Sequence, residues 1–236
     1  MITIVGVGHV FRLEEQVKRL ITERRPDVVA LELDAMRYEA LRSGERGGDS
    51  NPVFALFAKF QERIAGEYGT EVGSEMIAAA DAAKAVGAEL ALIDREVGDT
   101  LREFWGRMSF KEKVMMMVGA VGALLFANRK TVEKEMKKME EQPDYIDKIG
   151  GDFPVLKEVL IDSRNDHMGL AVQELARKHA RIVVIVGDGH VPGLVEMLRK
   201  KALPLETIRL SQLRNEESRP AAPEAGTNAT VSVSMD

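Results

Sequence analysis

Two apolar runs near opposite ends of this 236-residue chain finish in almost the same six residues. Residues 5–10 read VGVGHV and residues 186–191 read VGDGHV, so a single position differs between the two copies. Each copy follows a β-branched run of strand length and precedes a helical pattern. In an open parallel sheet, ligands bind at the carboxyl ends of the strands, which is where both copies would lie. The repeat therefore predicts a parallel sheet with one site built from two turns.

Strand-like runs alternate with helical patterns over most of the chain. The predicted strands are 2–7, 28–33, 89–93, 181–186 and 206–210, and the predicted helices are 13–24, 35–42, 52–68, 72–86, 154–179 and 192–201. This alternation is typical of βαβ units, so we expect an α/β fold with a mainly parallel central sheet flanked by helices. Residues 100–150 have a helical pattern outside the alternation, which predicts a helical insertion or cap. We expect one domain over 1–214 and a disordered tail over 215–236, where no periodicity is present.

Composition excludes several kinds of site. The chain has no cysteine, so disulfides, thiolate metal sites and a cysteine nucleophile are excluded, and a metal ion must be held by His, Asp, Glu or Asn. The formal net charge is -5 and no basic stripe is present, so we expect no nucleic-acid partner. The N-terminus opens on a strand-like run without a signal-peptide pattern, which predicts a cytoplasmic protein.

Residues 114–127 are the candidate membrane segment of the chain. The stretch is about fourteen residues long and is broken by two glycines, whereas roughly 20 residues are needed to span a bilayer. We therefore expect a buried or partner-facing helix, with contact to a membrane surface as the alternative. A partner-facing helix here predicts a homodimer.

The histidines of the two turns indicate a metal site. His9 and His190 each follow a predicted strand, and Glu32 lies at the carboxyl end of the second strand. Two imidazoles and one carboxylate suit Zn, Mn, Co or Fe with one position open to water. Water bound to such an ion has a pKa near neutrality and is a nucleophile for amide or ester hydrolysis. Glu32 is either the third ligand or the general base, and a plain hydrogen-bonding role for each histidine is the alternative.

A dinucleotide site is a second interpretation of the first turn. Gly6 and Gly8 match the first two glycines of Gly-x-Gly-x-x-Gly, and Glu32 or Asp34 lies where a ribose-binding acid is expected. The third glycine is missing, and the motif asks for neither a histidine nor a second copy near the end of the chain. We therefore prefer the metal site.

Polar residues inside apolar helix faces are further candidates. Arg164 and Asn165 lie in the middle of the apolar arc of their helix, so they should face the sheet or a cleft. A buried guanidinium needs a carboxylate partner or a ligand, because burial without one costs several kcal/mol. As a functional residue, Arg164 would stabilise an oxyanion or hold a substrate carboxylate, and Asn165 would ligate the metal or orient the water. A structural ion pair is the alternative.

A weaker group of candidates borders these residues. Glu75 lies beside an apolar helix face, and Asp94 and Arg95 close the third predicted strand. An ion pair or a helix cap explains Asp94 as well as a role in the site does. The residues predicted to bind substrate are Gly6, Glu75, Asp94, Arg95 and Gly187.

Taken together, these residues resemble the TraB family, which includes PrgY and GumN and is similar to the Tiki metalloproteases and the ChaN and erythromycin-esterase group. The resemblance is carried by residues 5–10, 25–34, 37–38, 75–76, 92–95, 161–168 and 186–193. It implies a divalent-metal-dependent hydrolase, and a peptidase in particular. It also implies paired Gly-x-x-His turns with an acidic partner and a distal polar pair, which are carried here by Gly6, His9, Gly187, His190, Glu32, Arg164 and Asn165. Phe11 stands where members often have Ser or Thr.

Three functions therefore remain open. The leading hypothesis is hydrolysis of a peptide or protein substrate by a Mn, Co or Zn ion held by His9, Glu32 and His190. The second is a non-catalytic peptide-binding or regulatory protein that uses the same cleft, as a dimer through residues 114–127. The third is a nucleotide-binding oxidoreductase.

Overall fold

An all-parallel sheet organises the chain. The computed structural model describes residues 1–8, 11–44, 73–126, 130, 134 and 154–217. Within these ranges five strands form one sheet in the order β3-β2-β4-β1-β5. The strands are β1 Ile2–Val7, β2 Val28–Leu31, β3 Glu89–Leu92, β4 Ile182–Gly187 and β5 Leu205–Ile208. The predicted α/β fold with a parallel sheet flanked by helices is confirmed.

Helices connect the strands and cover both faces of the sheet. They are α1 Glu14–Arg24, α2 Ala35–Ser43, α3 Ser74–Val86, α4 Val97–Arg107, α5 Phe110–Phe126, α6 Pro154–Lys157, α7 Ser163–Ala176, α8 Val191–Arg199 and α9 Leu210–Glu217. A π-helical turn, Glu158–Asp162, joins α6 to α7, and a single 3-10 turn, Asp188–His190, joins β4 to α8.

The core lies on both faces of the sheet because alternate strand residues point to opposite sides. One face packs against α1, α3 and α9, and the other packs against α7 and α8. The fully buried alanines Ala79 and Ala83 let α3 approach closely. Such continuous buried runs of β-branched residues are typical of a parallel sheet with both faces covered. The strand residues of the first face are Val5, Val7, Val29, Leu31, Val183 and Ile185, and those of the second are Ile2, Ile4, Val28, Ala30, Ile182, Val184 and Val186.

The strand order brings the ends of three strands together. β4 lies between β1 and β2, so Val7 is paired with Gly187 and Leu31 with Ile185. The carboxyl ends of β1, β2 and β4 therefore meet at one edge of the sheet, where Glu32 and the second turn follow directly.

The helices α4 and α5 form a separate small core. Phe104, Met108 and Met116 pack there with Val159 of the π-helical turn. The opposite side of α5 exposes apolar side chains, with Phe110 at 83%. None of the described helices combines the length and the apolar character that crossing a bilayer requires.

The structure differs from the sequence prediction at several element boundaries. The helix α9 was not predicted, and it runs to Glu217, past the predicted start of the tail at 215. The single helix predicted over 154–179 contains the π-helical turn and ends at Ala176. The predicted helix 52–68 and residues 218–236 of the predicted tail lie outside the described residues, as does most of the predicted cap beyond 126.

Candidate functional site

A group of buried polar side chains lies at the carboxyl edge of the sheet. Glu32 directly follows β2, and Asp94 follows β3 by two residues. His190 ends the 3-10 turn after β4, and α7 presents Arg164 and Asn165 from its first turn. The exposed fraction is 4% for Glu32, 4% for His190 and 6% for Asn165. Polar groups so far from water must be paired with one another or with a ligand.

Glu32 connects the second turn to α7. The backbone N–H of Gly187 donates to Glu32 Oε2 at 2.6 Å, and Arg164 Nη2 donates to Oε1. Nε2 of His190 lies 3.3 Å from the same Oε1. Glu32 therefore touches both ends of the turn that carries the histidine.

The ring of His190 is oriented by Asn165. Nδ1 of His190 lies 2.8 Å from Oδ1 of Asn165, and because an amide oxygen only accepts hydrogen bonds, Nδ1 is the donor of this pair. In the neutral ring, Nε2 then carries a lone pair directed at Glu32. Gly193 makes room for this amide, since a Cβ at that position would lie 2.3 Å from Asn165 Nδ2. This is the arrangement in which histidine ligates metal ions, with its second nitrogen bound to an amide or carboxylate.

The separation of His190 and Glu32 fits a shared metal ion. Two ligand atoms about 2.1 Å from one zinc ion, at the tetrahedral angle, lie roughly 3.4 Å apart. The observed 3.3 Å between His190 Nε2 and Glu32 Oε1 matches that value. It is longer than the roughly 2.7–2.9 Å of a charge-assisted hydrogen bond. These two side chains therefore fit two positions of a divalent-ion site.

Two ligands do not complete a site. Over the part of the chain that the structure describes, no three His, Asp or Glu side chains are grouped to hold an ion. His9, the third predicted ligand, lies outside the described residues. It is the second residue after the C-terminal residue of β1, the strand that is paired with β4.

Arg164 links two buried carboxylates. Its Nε and Nη2 donate to Asp94 at 3.0 and 2.7 Å, and Nη2 also donates to Glu32. Nη1 donates to the carbonyl of Leu160 in the π-helical turn at 3.3 Å. Burial disfavours the charged guanidinium, but the charges and hydrogen bonds of Glu32 and Asp94 outweigh it and raise the pKa of Arg164 above its ordinary value. The carboxylate partner expected for this arginine is thus present, and it is a pair of carboxylates.

Two further arginines contact Asp94 at the outer side of the site. Arg37 Nη1 lies 3.5 Å from Asp94 Oδ2, and the backbone N–H of Arg95 donates to Oδ1 at 2.8 Å. The Arg95 guanidinium points away from Asp94. It donates hydrogen bonds to Ser163 Oγ at 2.5 Å and to Glu103 at 3.1 Å. Arg95 therefore ties α4 to α7, and its predicted contact with substrate stays a prediction.

The predicted substrate contacts lie in different surroundings. The Gly187 N–H is bonded to Glu32, and the space above Gly6 is filled by Asp188, whose Oδ1 would lie 2.1 Å from a Cβ there. Glu75 is fully buried in the first turn of α3, on the face of the sheet opposite α7 and α8. Their roles toward a substrate stay predictions.

Sequence reasoning missed three residues that shape this edge. Asp188 accepts hydrogen bonds from Arg209 and from the backbone of Leu210, and Gly193 provides the space for Asn165. The one signal in the sequence was that Asp188 occupies the position at which the two turns differ. Arg209, 21 residues away, lies between β5 and α9 and inside the predicted strand 206–210, and it gave no signal.

Comparisons with known proteins cover most of the chain. The family model described as TraB/PrgY/gumN family matches residues 1–207. A relative named Uncharacterized protein MJ1365, from Methanocaldococcus jannaschii, is 30% identical over 216 residues, which is 84% of this chain and 53% of that protein. The chain thus spans about half the length of this curated relative.

Proposed function

The chain belongs to the TraB/PrgY/gumN family, and from this premise we propose that it is a divalent-metal-dependent hydrolase that cleaves peptides. The observation that carries the proposal is the relation of three side chains. His190 presents Nε2 3.3 Å from a carboxylate oxygen of Glu32 while Asn165 holds its other nitrogen.

The residues of this edge have distinct roles in the proposal. His190 and Glu32 would hold the ion, with His9 as the third protein ligand that the sequence predicts. Asn165 keeps the proton of the His190 ring on Nδ1, so that Nε2 is available to the ion. An ion held here would supply the nucleophile, because water bound to it would have a pKa near neutrality.

The types of side chain at this edge also suit a cation. Glu32 and Asp94 are both buried and share Arg164, and Asp94 has a second cation in Arg37 at 3.5 Å. Carboxylate oxygens and imidazole nitrogens are ligands that divalent ions such as Zn and Mn take in proteins.

Arg164 has a supporting role in this proposal. Three of its nitrogens donate to Asp94, Glu32 and the Leu160 carbonyl. It therefore fixes the Glu32 carboxylate beside His190. The roles predicted from the sequence, Arg164 on an oxyanion or substrate carboxylate and Asn165 on the metal or its water, remain further proposals.

Peptide cleavage by the metal-loaded chain is the test. The purified chain is stripped with a chelator, loaded with Mn, Co or Zn, and incubated with a mixed peptide library, and new termini are read by mass spectrometry. We expect cleavage after loading with at least one ion, and none by His190→Ala or Glu32→Gln. Asp27→Asn, at the opposite edge of the sheet, is the control and should cleave as the unchanged chain does.

Two results would contradict the proposal. One is the absence of cleavage with all three ions, and the other is equal cleavage by the His190→Ala variant. Retention of intact peptides without cleavage would favour the non-catalytic peptide-binding alternative.

A further inference from the structure

The two turns differ at a single position. In the second turn, the residue at that position makes contacts that the first turn lacks the side chain to make. Val7 occupies it in the first turn and is buried in the core. Asp188 occupies it in the second turn and is also buried, at 4% exposure. A carboxylate in place of an apolar side chain at such a position requires strong partners.

Those partners come from the end of the described chain. Arg209 Nε donates to Asp188 Oδ1 at 2.8 Å and Nη2 donates to Oδ2 at 2.6 Å, which is a two-pronged pair. The backbone N–H of Leu210, the first residue of α9, also donates to Oδ1 at 3.0 Å. Asp188 therefore holds both the loop after β5 and the start of α9.

The first turn is shaped to accept this carboxylate. A Cβ on Gly6 would lie 2.1 Å from Asp188 Oδ1 and 3.0 Å from Val191 Cγ2. The backbone of Gly6 takes no left-handed conformation, so its lack of a side chain serves this close approach. The glycine of one turn and the aspartate of the other thus fit together over neighbouring strands.

The second turn is held at three of its residues. The Gly187 N–H is bonded to Glu32, the Asp188 side chain to Arg209, and the His190 ring to Asn165. The backbone N–H of Val191 closes the turn onto the Asp188 carbonyl. Because Asp188 and His190 share one short turn, a shift of the first moves the ring of the second.

We infer that Asp188 and Arg209 are positioning residues that hold His190 in line with Glu32 for metal binding. This inference rests on the proposed function of the same site. It adds a role for α9, because the helix starts on the N–H that Asp188 accepts. Loosening the pair lets the second turn rotate and carries Nε2 away from Glu32.

The test compares Asp188→Asn with a matched control. Asp27→Asn removes a similar pair at the opposite edge, where Arg181 Nε and Nη2 donate to Asp27 at 3.3 and 2.8 Å and two backbone N–H groups also donate. Zinc affinity of the full chain is measured by titration, and the ring nitrogens of His190 are followed by 15N NMR without metal. Unfolding curves establish that each variant is folded.

We expect Asp188→Asn to lose about 10–100-fold in zinc affinity, as the loss of a supporting contact does, while Asp27→Asn keeps the affinity of the unchanged chain. The NMR signals of the His190 ring should shift in Asp188→Asn and stay in place in Asp27→Asn. If Asp188→Asn fails to fold, Arg209→Lys and Arg209→Gln replace it. Lysine keeps the charge, so it should retain more of the ring signal and the affinity than glutamine does.

A folded Asp188→Asn variant with unchanged ring signals overturns the inference, as do Arg209→Lys and Arg209→Gln variants that both match the unchanged chain. The ring signals need no metal, so they separate this inference from the proposed function. Failure of the unchanged chain to bind zinc would contradict the metal site, whereas the ring signals would still show whether Asp188 orients His190.

Discussion

Arg164 and Asp94, 70 residues apart in the chain, are joined by two hydrogen bonds, from Nε to Oδ1 at 3.0 Å and from Nη2 to Oδ2 at 2.7 Å. The same guanidinium holds Glu32. The side chains of Asp94 and Glu32 are exposed by only 2% and 5%. Because a buried charge without a partner is costly, Arg164 is what allows two carboxylates to share this edge of the sheet.

Replacing Arg164 by methionine should therefore destabilise the fold. The variant leaves two buried carboxylates without their common cation, and we expect a loss of about 3–5 kcal/mol in the free energy of unfolding. Urea unfolding followed by circular dichroism measures it. Arg177→Met is the control, because its pair with Glu174 is largely exposed and should be worth less than about 1 kcal/mol. Equal stability of the two variants would contradict this account of Arg164.

Adding a methyl group to Gly6 should have a different effect from adding one to Gly189. A Cβ on Gly6 meets the Asp188 carboxylate at 2.1 Å, so Gly6→Ala should lower the free energy of unfolding by about 1–3 kcal/mol. A Cβ on Gly189 meets nothing within 4 Å, and Gly189→Ala should leave stability unchanged or slightly raised. Thermal and urea unfolding of both variants measures these two changes in stability. A Gly6→Ala variant as stable as Gly189→Ala would show that Asp188 moves aside freely.

Removing the amide of Asn165 should weaken metal binding. Asn165→Ala deletes the acceptor for His190 Nδ1, so the ring loses its fixed orientation and proton position. We expect zinc affinity to fall by about 10–100-fold. Gln173→Ala, in the same helix, removes an amide whose Nε2 donates to the Gly169 carbonyl, and it should keep the affinity. An Asn165→Ala variant with the affinity of Gln173→Ala would argue against this role.

The sequence predicted the fold better than it predicted the partners within the site. Alternating runs of β-branched and helical residues are local, so the parallel sheet and the positions of Glu32 and His190 at its edge followed from the pattern. The partner of Arg164 did not, because Asp94 is distant in sequence and was explained equally well as a cap. The helix α9 was missed because, among its residues 210–214, whose side chains the structure describes, only Leu210 and Leu213 are buried.

The contacts of the second turn could not be predicted from the sequence pattern. Five shared positions predicted that the two copies build one site, and the sixth position carried no prediction. Asp188 instead binds Arg209, a residue of the predicted strand 206–210 that the sequence did not single out. Contacts of this kind depend on how β5 lies beside β1, which the strand order decides.

The ion pair at the opposite edge of the sheet gives a prediction about pH. Hydrogen bonds from the Arg181 side chain and from backbone N–H groups hold the pKa of Asp27 below its ordinary value of 3.8. The unfolded chain therefore binds this proton more readily, and the stability that Asp27 contributes is lost as the pH falls from the unfolded pKa through the folded one.

Urea unfolding of the unchanged chain and of Asp27→Asn should show this dependence. The difference in stability between them should be constant above about pH 5 and should shrink on further acidification. If the difference in stability between the unchanged chain and Asp27→Asn stays the same on acidification, Asp27 is not stabilised as a carboxylate.

In the proposed function His190 and Glu32 hold a divalent ion between them, and a crystal of the zinc-soaked chain with anomalous data at the zinc edge decides whether they do. We predict one zinc ion within about 2.0–2.2 Å of both His190 Nε2 and a carboxylate oxygen of Glu32. An anomalous map without zinc at this edge, or with zinc bound only to other residues, would contradict the claim.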